Sequence, residues 1–169
     1  MTFVDSVASR PTLQMQRFFD APRALVWRAW TNPEVMVLWL GPVEWPAVSA
    51  AQDLRVGGEW RACLRSPDTG QDLWQGGVYR EIVPEERLVF TFKWDESHED
   101  GPPVDTLVTV QLSDAPGGGT LMDFTHEGLK SEQSLIGHRH GWTSTFERLE
   151  AFLAAGGAPR GPPADRLRK

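Results

Sequence analysis

The groups best suited to chemistry in this 169-residue chain are its histidines. His138 and His140 stand two apart in a helical pattern, which turns them roughly 200° from one another about the axis and keeps them from sharing a metal readily. His126 and Glu127 are neighbours in a strand pattern and face opposite ways. His126 and His138 meet if the last strand faces the last helix, which supplies two nitrogens and no evident third ligand. Asp105 and Asp123 are the acids that would complete an acid–base pair, but strand parity points Asp123 away from His126. No serine sits at a glycine-framed nucleophile elbow. The single cysteine, Cys63, excludes an intrachain disulfide and a cysteine zinc cluster, and reads as a half-buried thiol. Asp95, Glu96, Glu99 and Asp100 crowd around His98 without the alternating oxygen ligands of a calcium loop; they read as a solvated hairpin end. Glycines 57-58, 76-77 and 117-119 introduce no helix after a strand, so they read as bends in a curved sheet rather than a phosphate cradle. No metal, cofactor or catalytic set is predicted.

The stronger candidates are aromatic. The chain holds eight Trp and eight Phe against one Tyr. Trp74, Tyr79, Phe90, Phe92, Trp94, Phe124 and Trp142, with His126 and His138, form a candidate ligand pocket: broad apolar walls with a hydroxyl, indole N–H groups and imidazoles as polar contacts. The same rings also fit a plain aromatic core. Trp30, Trp39 and Leu40 are candidates for the pocket mouth, while Trp27, Trp30 and Trp39 suit stitching of two short helices onto a sheet. Gly141, ahead of Trp142, reads as a small residue permitting close backbone approach.

The elements that must position these groups follow from periodicity. Leu13, Met15 and Phe19 share one parity of a first strand, which Arg17 interrupts. Asp20 and Pro22 predict a helix over 23–30, with Asp20 as cap and Pro22 in the first turn. Asn32 and Pro33 open a second short helix that ends near Leu40, before Gly41-Pro42. Period-two patterns then predict strands over 59–65, 78–83, 88–94, 104–112 and 120–127, with a weaker one over 44–54. Leu135, His138, Trp142, Phe146, Leu149 and Leu153 recur at three or four residues and predict a long amphipathic helix over 131–154. The economical packing is α+β: one antiparallel sheet with the long helix on its apolar face. A strongly curved sheet gripping large rings would leave a cavity between the two.

A chain of this length buries about 68–70% of its unfolded surface, enough for one domain without metal or disulfide staples. The expected divisions are a flexible segment over 1–11, one domain over 12–155, and a flexible Pro/Gly-rich basic tail over 156–169. The formal charge of −6, and −9 once that tail is set aside, argues against a sequence-blind nucleic-acid binder. A basic segment followed by an apolar one is missing from the N-terminus, and no apolar run is long enough for membrane insertion; a cytoplasmic location is expected.

Several segments in this order carry a family resemblance. They are Asp20-Ala21-Pro22-Arg23, the run from Val26 to Glu34, Trp39 with Gly41-Pro42, Asp53 to Gly58, Gly77 to Phe90, Thr125 to Leu129, and His138 before Gly141-Trp142. Together the chain resembles the START-like, Bet v 1-like (SRPBCC) superfamily, and within it the family related to the C-terminal domain of the activator of Hsp90 ATPase. The resemblance implies a helix-grip fold: six or seven curved strands around a long C-terminal helix, with two short helices after strand 1. It implies a protein holding a hydrophobic or aromatic small molecule in an internal cavity, in a setting such as stress response, rather than an enzyme. The alternatives it leaves are a chaperone-associated interaction domain and a cyclase- or hydrolase-like enzyme; a homodimer is a further expectation. Many relatives carry an aromatic after the tryptophan closing the second short helix, where this chain has Leu40. The related cochaperone uses a separate N-terminal domain to engage Hsp90, for which 169 residues leave no room.

Overall fold

The structure, a computed structural model, describes residues 10–97 and 101–156. The chain runs β1 (Thr12–Phe19), α1 (Arg23–Thr31), α2 (Pro33–Trp39), β2 (Ala47–Gln52), β3 (Glu59–Arg65), β4 (Asp72–Val83), β5 (Arg87–Trp94), β6 (Thr106–Asp114), β7 (Thr120–Glu127) and α3 (Glu132–Ala154). One seven-stranded antiparallel sheet has the order β1-β7-β6-β5-β4-β3-β2. Strands β2 to β7 are consecutive neighbours, and β1 closes the far edge against β7. The link from β1 to β2 must cross from one edge to the other, and α1 and α2 fill it. This is the helix-grip arrangement.

Register builds the inner face. Val108, Val110 and Leu112 of β6 stand opposite His126, Phe124 and Met122 of β7, so two apolar rows adjoin across the sheet. Leu88, Phe90 and Phe92 of β5 extend the surface and are buried. Against it lie Trp142, Phe146, Leu149 and Leu153 of α3. Phe124 meets Phe146 at 5.0 Å and Trp142 at 4.7 Å between ring centroids. Trp30 of α1 wedges into the same cluster, edge-on to Trp39 at 4.9 Å and about 6.2 Å from Phe146. Burial of each such side chain contributes about 2–3 kcal/mol, so this end of the interface is well filled.

The local signals hold in part. Asn32 Oδ1 accepts from Glu34 N at 3.0 Å with Pro33 at the first helical position, and Ser131 Oγ accepts from Ser134 N at 3.0 Å to start α3. Asp20 does not cap α1. Pro22 is itself the cap position and makes no side-chain bond, which leaves Asp20 two residues outside the first turn. Strand six begins at Thr106 rather than Val104: pairing with β5 ends at Phe92–Thr106, and Pro102-Pro103 just upstream bring no N–H to prolong a ladder. Strand four begins at Asp72, six residues before its expected start. A Cβ at Gly77 would overlap the Thr91 carbonyl, so this glycine lets β4 and β5 close up.

Arg17 keeps the inward parity of its strand and reaches Glu150 of α3 at 2.6 Å. Cys63 is fully buried rather than half-buried, flanked in register by Ser49 and Trp74. At the N-terminal boundary Arg10 bonds the Asp105 carbonyl at 3.2 Å and Pro11 O accepts from Leu129 N at 3.0 Å. The remainder of the expected flexible start, the tail beyond Gly156, and His98, Glu99 and Asp100 lie outside the described residues.

Candidate functional site

The C-terminal half of α3 is packed, but its N-terminal half stands off the sheet. A cavity of about 640 Å³ lies between that half-helix and the strands β3–β5. Phe92 and Trp94 of β5, Leu73 and Gln75 of β4 and Leu64 of β3 wall one side; Gly137, His138, Gly141 and Trp142 of α3 wall the other. Leu40, Pro42 and Trp45 close one end, and Val104, Thr106 and Leu129 line another stretch. Two glycines of this half-helix, exposed Gly137 and half-buried Gly141, lie on the lining. A Cβ at Gly137 or at Gly141 would meet nothing within 4 Å. Gly141 therefore opens space instead of permitting close backbone contact, contrary to expectation.

Arg148, about two turns beyond Gly141, ties this end of the site to the helix. Its guanidinium donates to the carbonyls of Leu38, Trp39, Leu40 and Gly41 at 2.8–3.2 Å. Leu38 and Trp39 are the last carbonyls of α2, left without intrahelical partners, and Leu40 and Gly41 continue the chain just beyond its end.

His138 and His140 line the cavity and His126 lies behind it; hydrogen bonds fix the tautomers of His126 and His138, while His140 is exposed, 4.0 Å from Glu44. Trp142 Nε1 donates to His126 Nδ1 at 3.1 Å. The His126 proton therefore sits on Nε2 and is given to Thr106 Oγ1 at 2.7 Å, whose hydroxyl donates to Phe92 O at 2.6 Å. Likewise Trp94 Nε1 donates to His138 Nε2 at 3.1 Å, leaving Nδ1–H to bond Ser134 O at 2.8 Å. The two rings are 5.0 Å apart. Full burial, and secondarily the neighbouring His138, hold the His126 pKa well below the usual imidazole value. On His126 and His138 the lone pair that would bind a metal or take a proton already accepts an indole hydrogen. Asp123 lies on the other face of β7, exposed and bonded by Gln16 at 2.7 Å. Among the described residues no three His, Cys, Asp or Glu side chains are placed to hold a metal.

Of the aromatic and imidazole candidates, Phe92, Trp94, His138 and Trp142 line the cavity, with His126 immediately behind them. Phe124 belongs to the packed cluster with Phe146. Tyr79 and Phe90 face a separate small chamber of about 10 Å³, shared with Trp30 and Trp60, whose other walls include Leu40 and Trp142. Gln52 Nε2 bonds the Tyr79 hydroxyl at 2.6 Å, and burial pushes its pKa up to about 12. Trp74 faces outward, 38% exposed, under the Arg61 guanidinium at 5.1 Å. Since β4 extends back to Asp72, alternation sends Leu73 and Gln75 inward and Trp74 out. Of the three mouth candidates only Leu40 reaches the cavity; Trp30 and Trp39 are buried, and Trp39 Nε1 donates to Ala29 O at 3.0 Å, stitching α2 to α1. Trp45, Leu73, Gln75 and Gly137 were not foreseen. Continuing the β4 alternation backward would have found Leu73 and Gln75.

The fold has counterparts in known proteins. The family model described as Activator of Hsp90 ATPase homolog 1-like protein matches residues 20–154, from just before α1 to the end of α3. The chain belongs to this family. Protein CV1439 of Chromobacterium violaceum is similar at 26% identity, with 84% of this chain and 96% of that one covered and a TM-score of 0.70. Protein NE0264 of Nitrosomonas europaea is similar at 26% identity, 85% and 94% coverage and a TM-score of 0.71. The AHSA1 protein SPO3351 of Silicibacter pomeroyi, at 21% identity, shares the fold over 86% of this chain and 99% of its own, with a TM-score of 0.73. A search of curated proteins returns no match. No described helix of this chain is long and apolar enough to cross a membrane.

Proposed function

We propose that this family member binds an apolar, ring-bearing small molecule in the cavity between α3 and β3–β5. The observation that carries the reading is the 640 Å³ cavity walled by Phe92, Trp94 and Trp142. Its volume falls in the range of roughly 300–1,000 Å³ that small-molecule sites take. The two inner histidines, His126 and His138, are spent on indole hydrogen bonds, and His140 sits exposed at the rim, so the inner wall offers ring surface rather than a base or nucleophile. That favours binding over catalysis. Gly137 and Gly141 support the same reading, because a helix with alanine at both positions would be more stable and the cavity smaller.

Trp94 and Trp142 report occupancy through their own emission. Titration with quinoline or 2-naphthol is expected to quench tryptophan fluorescence saturably at one equivalent. The Gly141→Leu variant, whose side chain enters the cavity, is expected to remain folded and lose the response. Absence of a saturable change across such fused-ring probes, or an unchanged response in Gly141→Leu, defeats the proposal. A second reading rests on the description of the family itself: association with an Hsp90-type ATPase. It predicts a raised ATPase rate on addition of the purified protein, and an unchanged rate at micromolar concentration counts against it.

A further inference from the structure

Six polar side chains are buried among the described residues: Ser66, Gln75, Thr106, Thr120, His126 and Thr145. Five of them use their polar atoms inside the protein. Ser66 Oγ accepts from Thr69 N at 3.2 Å, Thr120 and Thr145 donate to the carbonyls of Ala21 and Gly141 at 2.7 Å, and Thr106 and His126 bond each other. Gln75 is the exception. It is 3% exposed, it lines the cavity, and its carboxamide has no hydrogen-bond partner among the described residues. Gln52, less deeply placed, spends its Nε2 on Trp30 O and the Tyr79 hydroxyl, and its Oε1 has no partner. The sealed polar atoms without a partner among the described residues are Arg10 Nε, Trp30 Nε1 and Gln52 Oε1; the Gln75 carboxamide is not among them, because it opens on the cavity, and what enters the cavity is what pairs it.

The surroundings say what would complete it. Gln75 stands opposite Trp94 in the β4–β5 register and opposite Ala62 in β3. Its neighbours across the cavity wall are Leu64, Leu73 and Phe92, all apolar. The charged groups on the lining, Glu44, Lys93 and Lys130, are exposed or half-buried, and Lys130 Nζ is already given to the carbonyls of Gly101 and Pro102. A carboxylate at Gln75 would find no buried counter-charge and would set oxygen against Oε1. A cation would set its hydrogens against Nε2. A carboxamide offers one donor and one acceptor side by side, and a neutral group with N–H next to C=O satisfies both at once.

We infer that Gln75 is the specificity residue of the cavity and that its ligand is a planar heteroaromatic with a lactam edge, the rings lying among Phe92, Trp94 and Trp142. The inference rests on the small-molecule reading above. Three probes of one shape separate the two: 2-quinolone, with the full lactam edge; N-methyl-2-quinolone, with the carbonyl but no N–H; and quinoline, with neither. The full-length protein is expected to bind 2-quinolone about tenfold or more tighter than either of the others by calorimetry. Gln75→Leu is expected to abolish that preference while holding quinoline affinity within about threefold or raising it. Gln75→Met, with the straighter side chain, makes the same measurement if thermal melting shows the leucine variant unfolded. Equal affinity of the three probes for the wild type, or a preference that survives in the variant, overturns the assignment of Gln75 and leaves the small-molecule reading standing. Saturable binding of none of them overturns both.

Discussion

Gly137 and Gly141 occupy interior positions of a 23-residue helix, and each faces the cavity with no atom within 4 Å of where a Cβ would stand. Glycine in a helix interior costs about 0.8–1.0 kcal/mol relative to alanine, because the unfolded chain gains freedom and no side chain shields the backbone. With no neighbour to push aside, the double variant Gly137→Ala/Gly141→Ala recovers nearly the full amount, about 2 kcal/mol. For a chain of 169 residues one kcal/mol moves the melting midpoint by roughly 2–4 °C, so an increase of about 4–8 °C is expected. Thermal melting followed by circular dichroism measures it, and urea denaturation at 25 °C gives the free energy directly. A neutral or lower midpoint would refute the reasoning. It would mean that the cavity face of α3 packs against something in solution, and the space described between helix and sheet would not exist there.

His126 is neutral when folded, with a pKa held far below the ordinary value of about 6.5. The unfolded chain then binds the extra proton first, so stability is full above pH 6.5 and falls as pH drops below it, by at most about 2 kcal/mol at pH 5, the ceiling set by the unfolded value; denaturant midpoints measured from pH 7.5 to 5 test this, and a slope unchanged in His126→Gln would assign the effect elsewhere. Arg148→Met removes charged donors from four carbonyls at the end of α2, and a loss of about 2–3 kcal/mol is expected in urea titrations, a loss below 0.5 kcal/mol showing instead that water replaces the guanidinium at no cost. Trp74→Ala is expected to leave quenching by quinoline unchanged, because the ring lies on the outer face of β4 under Arg61; a weakened response would place it at the site after all.

Much of the scaffold is legible one segment at a time. The alternation of Val108, Val110 and Leu112 names the buried face of β6 without any neighbour, because successive side chains in a strand must point to opposite sides. Asn32-Pro33 and Ser131 mark helix starts through hydrogen bonds made within three residues. The order of segments from Asp20 to Trp142 sufficed to anticipate the family and its helix-grip sheet. Local signals failed where a neighbouring element set the outcome. Asp20 lost its cap role because the turn from β1 places Pro22 at the helix boundary. Trp74 turned outward because pairing with β3 carries β4 back to Asp72.

The amino-acid sequence alone thus determined the elements, their buried faces and the aromatic character of the interior, since each depends on periods of two or 3.6 residues and on short-range bonds. The tertiary structure alone decided which rings fill the core and which wall a cavity. Phe124 and Phe92 carry the same strand parity and similar burial, yet one meets Phe146 and the other faces the cavity. The difference arises because α3 is in contact where Trp142 and Phe146 fill the gap and stands off where Gly137 and Gly141 do not. It decided the tautomers of His126 and His138 as well, through indoles 16 and 44 residues away in the chain. The unmatched carboxamide of Gln75 belongs to the same class: whether a buried polar group has a partner depends on what every surrounding element brings to it, and no spacing along one strand records that.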